Sequence, residues 1–246
     1  MTSALELHAR KTAGFDARVA HAVTLLREAA DDHAGAIVQA SSLGVEGMVL
    51  TDMIARHRLP IAVATLDTGL LHAQTLALIP RIEQRYGIAV EVLRPRHEAV
   101  VHFVRQHGER AMFDSVAQRK SCCALRKLEP MERLLEGRSA WITGLRREQS
   151  AQRQSVPFRE VDAQARERIY PLADWSLHDV WHYVALHDVP YNPLHDEFFP
   201  SIGCSPCTRA VALGEDERAG RWWWEQDGAK ECGLHERAAA ADTVSA

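Results

Sequence analysis

Four short apolar runs alternate with helical patterns along the first 143 residues, and this alternation constrains the fold more than any other feature. The runs are residues 36–40, 61–66, 88–93 and 139–143. Alternation of this kind is typical of a mostly parallel sheet with helices on both faces. The sequence therefore predicts an α/β fold with a mostly parallel, twisted sheet flanked by helices. Ligands of such sheets bind in the loops at the carboxyl ends of the strands.

Helices are predicted between and after these strands. Apolar side chains recur at helical spacing over residues 16–30, and a second helix is expected over 45–56. A third is expected across 71–86, where Pro80 should kink or interrupt it. A fourth begins at Ser176, which forms a capping-box pattern with Asp179.

Residues 189–203 are rich in proline and aromatic side chains and are interpreted as a loop. Within it, Tyr191, Asn192 and His195 are expected to shape the loop rather than to act in catalysis. The three consecutive tryptophans 222–224 are interpreted as core packing and as an anchor for the tail that follows.

Composition and charge exclude several classes of protein. The chain has 246 residues, a net charge of −4 and a pI of about 6.3, so no basic field marks it as a nucleic-acid binder. No long apolar run occurs near residue 1, so neither a secretory signal nor a membrane span is expected, and we predict a cytoplasmic protein. Residues 1–213 are predicted to form the α/β domain, and residues 214–246 a mobile C-terminal segment.

Three loops that follow predicted strands carry residues suited to an anion. SSLGVEG (41–47) opens a helix, LDTG (66–69) brings a carboxylate and a glycine, and TGLRREQSAQR contains Arg146, Arg147 and Arg153. Small residues at a helix N-terminus let backbone N–H groups approach a phosphate, and arginine suits phosphate or sulfate. Each loop alone is equally consistent with a turn, a helix cap or a solvated face. Together, at one edge of the sheet, they predict a nucleotide or phosphosulfate site.

Four of the five cysteines form two tight pairs. Cys122 and Cys123 are adjacent, and Cys204 and Cys207 form a CxxC. Four cysteines can hold an iron–sulfur cluster, whereas structural zinc usually takes two CxxC-type pairs and adjacent cysteines suit it less well. We therefore favour a cluster over zinc; buried thiol pairs or a redox disulfide are the alternatives. Lys120, Arg126 and Lys127 surround the adjacent pair with positive charge.

The fifth cysteine, Cys232, lies in the polar stretch KECGLHE near the end of the chain. A buried cysteine behaves as a small hydrophobic residue, but Lys230, Glu231 and Gly233 offer it no apolar surroundings. Burial in a core is therefore not its expected role.

These features occur together in one family. The motifs SSLGVEG, LDTG, KSCCALRKLEP, TGLRREQS, GCSPCTRA, RWWWE and KECGLH appear in the family's order between about residues 15 and 235. In this set the chain closely resembles the assimilatory adenylyl-sulfate (APS) reductases of the wider phosphoadenylyl-sulfate (PAPS) reductase family. The PAPS-specific branch lacks the four paired cysteines, so their presence points to APS.

The resemblance implies an adenine nucleotide α-hydrolase-like fold, akin to the PP-loop ATP pyrophosphatases. It implies a [4Fe–4S] cluster on four ligands, and a nucleophile that attacks the sulfur of APS to give S-sulfocysteine and AMP. Thioredoxin, or a glutaredoxin-like reductant, would then release sulfite for sulfate assimilation and cysteine biosynthesis. A homo-oligomer is also expected. The nucleophile falls on Cys232, and the cluster ligands on Cys122, Cys123, Cys204 and Cys207.

The resemblance also implies residues that bind the substrate. Those of the nucleotide pocket are Ser42, Gly44, Leu66 and Gly144. Those toward the phosphosulfate are Lys127, Arg153, Arg218, Arg221 and His235. Arg218 and Arg221 would lie one helical turn apart if their stretch is helical. The chain departs from its relatives at Gly47, where a polar residue is common, and this leaves the detailed phosphate contacts open.

Three alternatives remain at this stage. The nearest is a reductase that prefers PAPS or accepts both substrates. A second is a PP-loop ATP-dependent ligase, against which the first loop reads SSLGVEG rather than SGGxDS. A third is a non-enzymatic iron–sulfur or zinc redox sensor, which would leave KECGLH and the arginines without a role.

Overall fold

The computed structural model describes residues 2–225, in which six strands form one sheet. They are β1 (Ile37–Ser41), β2 (Ala62–Leu66), β3 (Val90–Leu93), β4 (Ala140–Ile142), β5 (Arg159–Val161) and β6 (Glu167–Ile169). Their order is β3-β2-β1-β4-β6-β5. All neighbours pair in parallel except β5 and β6, which pair antiparallel. The sheet grows outward in both directions from β1 and β4, so a crevice for a ligand is expected between their carboxyl ends.

The mostly parallel α/β fold is confirmed, and the four predicted strands match β1 to β4. β1 and β4 are buried almost throughout because helices cover both faces of the sheet. This burial explains why their sequences are continuous apolar runs rather than alternating ones. β5 and β6 were not predicted.

Nine α-helices surround the sheet in the described part of the chain. They are α1 (Ala4–His8), α2 (Phe15–Asp32), α3 (Val45–Arg56), α4 (Ala73–Leu76), α5 (Leu78–Tyr86), α6 (His97–His107), α7 (Val116–Cys123), α8 (Glu129–Leu135) and α9 (Leu177–His187). The predicted helices correspond to α2, α3, the pair α4 and α5, and α9. The predicted interruption falls at Ala77, and Pro80 lies in the first turn of α5, where no intrahelical hydrogen bond is lost. Ser176 and Asp179 form the predicted capping box of α9.

The two faces of the sheet carry separate cores. On one face α2, α3, α5 and α9 pack their apolar sides, and this core includes Trp175 and Trp181. On the other face α8 contributes Met131 and Leu134, which pack against Trp141 of β4. The cavity described below therefore has walls from both faces. None of the helices described between residues 2 and 225 is long and apolar enough to cross a membrane.

A single helical rod carries the adjacent cysteines. α7 runs into a wider π-helical segment, Ala124–Leu128, which continues directly into α8. π-helical turns are rare and occur frequently at functional sites. Here the wide turn carries Arg126 and Lys127, so it places two cations immediately after Cys122 and Cys123.

Residues 214–225 pack onto the body of the protein. Arg209 and Gly220 are joined by a main-chain hydrogen bond of 3.0 Å, and Thr208 forms a bridge with Arg221. The division of the chain at residue 213 stays a prediction.

Candidate active site

A cavity opens at the carboxyl ends of β1, β2 and β4, where the sheet predicts a crevice. Its walls include all eight of the predicted substrate-binding residues that lie in the described part of the chain: Ser42, Gly44, Leu66, Lys127, Gly144, Arg153, Arg218 and Arg221. Separate loops supply them, so the fold assembles what the sequence disperses. Cys232 and His235 lie outside the described residues. That these residues bind substrate stays a prediction.

The loop before α3 brings main-chain groups to this cavity. Ser41 ends β1, and its hydroxyl accepts a hydrogen bond of 3.1 Å from the Leu43 N–H. Gly44 is the N-cap of α3 and offers no side chain to the first N–H groups of the helix. The N-terminus of this 12-residue helix therefore forms part of the cavity wall, and its main-chain N–H groups suit an anion.

Gly47 lies where the helix passes close to the strand. A Cβ at this position would lie 2.5 Å from the Ser41 hydroxyl. Its carbonyl accepts hydrogen bonds from Gln39 and Thr51, at 2.7 and 2.9 Å. The position at which this chain differs from its relatives thus lies in a close contact between helix and strand.

Glu46 places a carboxylate in the wall of the same cavity. It pairs with Arg146 at 2.9 Å and accepts a hydrogen bond of 3.0 Å from Gln149. Burial pushes the pKa of Glu46 upward, but the charge and hydrogen bonds of Arg146 outweigh burial and hold it below its usual value. Gly144 lies so close that a Cβ there would be 2.6 Å from that of Glu46. The site thus contains a fixed negative charge that the sequence analysis did not predict.

The three arginines that follow β4 have different roles. Arg146 is 1% exposed and forms the ion pair with Glu46. Arg147 donates to the Val156 carbonyl at 2.8 Å and lies over the Phe158 ring. Only Arg153 of the three lines the cavity, held by a 2.6 Å hydrogen bond to Gln149. Of the three arginines predicted to suit an anion, Arg153 alone lines the cavity, so the prediction is kept for Arg153 and dropped for Arg146 and Arg147.

On the side beneath α8, the cavity is lined by apolar side chains that form a slot. Its side chains come from the ends of β1 and β2, from α8 and from β4: Ala40, Ala64, Met131, Leu134 and Trp141. Flat apolar walls of this kind suit a purine ring, with the main chain of Leu66 at the same strand edge.

Cations gather at the other end of the cavity, beside the cysteines. Arg218 and Arg221 are joined by a turn, in which the Arg221 N–H donates to the Arg218 carbonyl at 2.8 Å, so the stretch is not an α-helix. The Arg221 guanidinium stacks 4.6 Å from the Trp222 ring centroid. Burial raises the pKa of the Cys122 and Cys207 thiols, and the nearby charge of Lys127 opposes that rise in both. This end of the cavity suits an anionic group.

The four paired cysteines meet beside these cations. All four are buried and unbridged, and Cys122, Cys204 and Cys207 pack with Trp222 in one cluster of buried side chains. Cys204 Sγ lies 3.2 Å from the Thr68 hydroxyl, which ties the CxxC loop to the loop after β2. Burial raises the pKa of the Cys122 thiol, and it raises that of Cys207 to about 12.

The surroundings of the thiols fit an anionic thiolate cluster. The positive charges of Arg126 and Arg119 act on Cys122 and Cys123, respectively. Arg126 and Arg221 are 8% and 7% exposed, and within residues 2–225 neither forms an ion pair with a carboxylate. Buried charges need a counter-charge, and thiolates bound to iron would supply it. No group of three ligating side chains in the described chain converges tightly enough for one metal ion.

A buried ion pair joins the helix of the cysteines to the last described residues. Arg119 donates to Glu225 at 2.6 and 3.0 Å, and both side chains are almost fully buried. The Arg119 guanidinium also stacks on Trp222, which is 1% exposed, as expected for a core residue. Trp223 is 40% exposed, so the core role predicted for all three tryptophans is wrong for this one.

His195 also lines the cavity, although the sequence analysis gave its loop no chemical role. It lies in a 3₁₀ turn, Pro193–Glu197, and is 7% exposed. No sequence signal marks it, because a histidine in a proline-rich loop has no characteristic spacing. Glu46 was missed for a similar reason, since its partners Arg146 and Gln149 come from a distant loop.

Comparison with known proteins places this site in a family. Residues 36–210 match the model of the phosphoadenosine phosphosulfate reductase domain. The chain belongs to the phosphoadenosine phosphosulfate reductase family. The match confirms the resemblance inferred from the motifs.

Relatives with curated names narrow the assignment. One from Allochromatium vinosum is 52% identical over 93% of this chain and 90% of its own length. One from Neisseria meningitidis is 53% identical over 80% of this chain and 81% of its own length. Both are named adenosine 5'-phosphosulfate reductase, and this member of the family is an oxidoreductase.

Solved structures agree with the fold. A PAPS reductase from Candida auris, crystallised with phosphate, is 25% identical, has a TM-score of 0.67, and covers 82% of this chain and 100% of its own. An FMN adenylyltransferase from Candida glabrata has a TM-score of 0.54 at 16% identity, covering 82% of this chain and 67% of its own. The second likeness concerns the fold alone.

Proposed function

We propose that the protein reduces APS to sulfite and AMP, with Cys232 as the nucleophile. The observation that carries this proposal is that the cavity has an apolar end and a cationic end. An apolar slot lies at the sheet edge, and Lys127, Arg218 and Arg221 lie at the end beside the four cysteines. An adenine nucleotide with a phosphosulfate end matches this arrangement, and the curated relatives are named for that substrate.

The reaction has two displacement steps. The Cys232 thiolate attacks the sulfur atom of APS, the bond from that sulfur to the bridging oxygen breaks, and AMP leaves with the electron pair. The product on the enzyme is S-sulfocysteine. A thiolate of thioredoxin, or of a glutaredoxin-like protein, then attacks Cys232 Sγ, and sulfite leaves with the electron pair. The second thiol of the reductant resolves the mixed disulfide and restores Cys232.

The cationic residues of the cavity stabilise the negative charge that develops on the leaving group in the first step. AMP gains negative charge as it leaves, and arginine and lysine near the phosphosulfate stabilise that charge. Glu225 precedes Cys232 by seven residues, and an extended chain of that length spans up to about 25 Å. The nucleophile can therefore reach the cationic end of the cavity from the position at which Glu225 is anchored.

We further propose that Cys122, Cys123, Cys204 and Cys207 hold a [4Fe–4S] cluster. When bound, the cluster would supply the negative charge that Arg126 and Arg221 lack, and would thereby help to fix Lys127 beside the substrate. The two electrons of the reduction come from the thiols of the reductant. Sulfite made in this way would enter cysteine biosynthesis in the cytoplasm; this setting and a homo-oligomeric state belong to the proposal.

Intact-protein mass spectrometry after anaerobic incubation tests the first step. Protein is incubated with APS, and separately with PAPS, without any reductant. We expect a sulfo adduct on Cys232 with APS that is absent from Cys232→Ser and disappears when reduced thioredoxin is added. A stronger adduct with PAPS would reassign the substrate. No adduct with either, on iron-loaded protein, would reject the reductase proposal and favour a PP-loop ligase or a redox sensor.

A further inference from the structure

His195 is held rigidly in the cavity wall. The ring packs edge-on against Trp181, with centroids 5.3 Å apart and planes at 86°. Asn192, which is fully buried, fixes the loop by donating to the Thr75 hydroxyl at 2.8 Å and accepting from the Leu194 N–H. A ring fixed in this way loses little conformational freedom when a ligand binds beside it.

Neither ring nitrogen of His195 has a hydrogen-bond partner among the described residues. The Phe199 main chain lies near and weakly favours protonation, but its geometry is not that of a hydrogen bond. Buried polar atoms without partners are uncommon in folded proteins and each needs an explanation. Burial lowers the pKa of His195 to about 4, so at neutral pH the ring is uncharged, with one donor and one acceptor.

The ligand of this ring is not the base. Trp181, on which the ring packs, belongs to the core of α2, α3, α5 and α9. The apolar slot belongs to the core of α8 on the opposite face of the sheet. His195 and the slot therefore contribute to the cavity from opposite faces, which separates the ring from a purine bound in the slot.

An anionic group is also a poor ligand here. The charge of Glu46 acts on His195 directly, so a carboxylate lies near the ring. The cations Lys127, Arg218 and Arg221 gather instead beside the cysteines. The chemistry of His195 and Glu46 suits a hydroxyl, because a hydroxyl can accept from the imidazole N–H and donate to the carboxylate or to the other ring nitrogen.

We propose that His195 binds a ribose hydroxyl of the adenine nucleotide and so positions the sugar between the apolar slot and the cationic end. This inference rests on the proposed function, because it takes an adenine nucleotide as the occupant. It makes His195 a substrate-binding residue that the family motifs did not include.

Calorimetric titration of the iron-loaded protein with AMP, 2'-deoxy-AMP and 3'-deoxy-AMP tests the proposal. His195→Phe keeps an aromatic ring against Trp181 but loses both nitrogens, and we expect its affinity for AMP to fall about ten-fold. One deoxy analogue should bind wild type more weakly by a similar factor, and should lose little further affinity in His195→Phe. His195→Gln, which keeps a donor and an acceptor, should recover part of the affinity for AMP.

The matched control is His72→Phe. His72 also has an unpartnered Nε2 and packs on the same loop, against Phe199, but it does not line the cavity. Its affinity for AMP should be unchanged. Circular dichroism confirms folding of each variant, and His195→Met replaces His195→Phe if the latter does not fold.

The outcomes separate this inference from the proposed function. If wild type binds AMP and His195→Phe or His195→Met binds it within two-fold of wild type, His195 only packs and the inference is wrong. An equal loss of affinity for AMP and both deoxy analogues would also reject contact with the ribose. If wild type binds no AMP at all, the proposed function fails, and this inference fails with it.

Discussion

The imidazole of His195 ties the stability of the protein to pH. The groups whose charge acts on it include the carboxylates of Glu46 and Asp196, which favour a charged ring, and His8, which disfavours it. Burial outweighs them, and the folded pKa of about 4 lies below the unfolded value of about 6.5. Above pH 6.5 the ring is neutral in both states and has no effect. Below it, the unfolded chain takes up a proton that the folded chain cannot, so stability falls as the pH falls toward 4.

Between pH 7 and pH 5 this linkage should lower the free energy of unfolding by about 2 kcal/mol more in wild type than in His195→Gln. Urea titrations of both proteins at the two pH values measure the difference. Other titrating groups cancel in the comparison because both proteins carry them. Equal pH dependence in the two proteins would mean that His195 is protonated in the folded state, which would contradict its burial without partners.

At the level of single residues, the sequence indicated the motif residues and missed their partners. Lys127 and Arg153 could be selected because cations near cysteines and in loops after strands follow general rules, whereas Ser42 and Gly44 were assigned through the family resemblance. Glu46 and His195 could not be selected. Their surroundings depend on loops more than 100 residues away along the chain.

Among the elements, the segment that leads to Cys232 is anchored by one buried ion pair. Glu225 and Arg119 are 6% and 1% exposed, and removal of one partner leaves the other charge buried without compensation. We expect Glu225→Gln to slow formation of the Cys232 adduct by about ten-fold, because the chain that leads to the nucleophile loses its anchor beside the four cysteines. The rate is measured by quenched mass spectrometry with APS.

The control is Glu215→Gln in the same segment. Glu215 pairs with Arg209 at 3.0 Å, but both side chains are more than a third exposed, so the pair contributes little. Its adduct rate should match that of wild type, and the affinity of both variants for AMP should stay within two-fold. If the two variants slow the adduct equally, the Arg119–Glu225 pair has no special part in presenting Cys232.

The elements that sequence reasoning found are those with an apolar face. β1 and β4 are buried almost throughout, β2 is buried at its centre and β3 at Val90, and the Ser176–Asp179 cap marks where α9 begins. β5 and β6 escaped because their short strands are rich in charged residues that pair across the hairpin, as Arg159 does with Glu167 at 3.4 Å. α6 was missed although its apolar side chains recur at helical spacing, and it contains no buried residue. The rod of α7 and α8 is divided by its π-helical turn, so it shows no simple helical pattern.

At the scale of the whole molecule, two regions are stabilised in different ways: apolar cores hold the sheet, whereas the cavity wall around the four cysteines depends on balanced charge. The sheet region is held by cores on both of its faces. The wall formed by α7 and residues 200–225 instead surrounds the four cysteines with Arg119, Arg126 and Arg221. The two parts meet where Arg126 donates to the Thr68 carbonyl at 2.7 Å and Ser205 to the Leu70 carbonyl, also at 2.7 Å. The local stability of the wall should therefore fall when the thiolate charge is removed, whereas that of the sheet region should not.

Anaerobic removal of iron with a chelator tests this difference by hydrogen exchange. Without metal, burial keeps the Cys122 and Cys207 thiols protonated at neutral pH, so the neighbouring guanidinium groups lose their counter-charge. We expect amide exchange to accelerate at least about ten-fold in α7 and residues 200–225, and to stay unchanged in β1, β4 and α3. Cys232→Ser should behave as wild type does, since Cys232 is not a proposed ligand. Unchanged exchange near the cysteines would mean that packing alone holds this wall, and equal acceleration everywhere would mean that the sheet also depends on the bound metal.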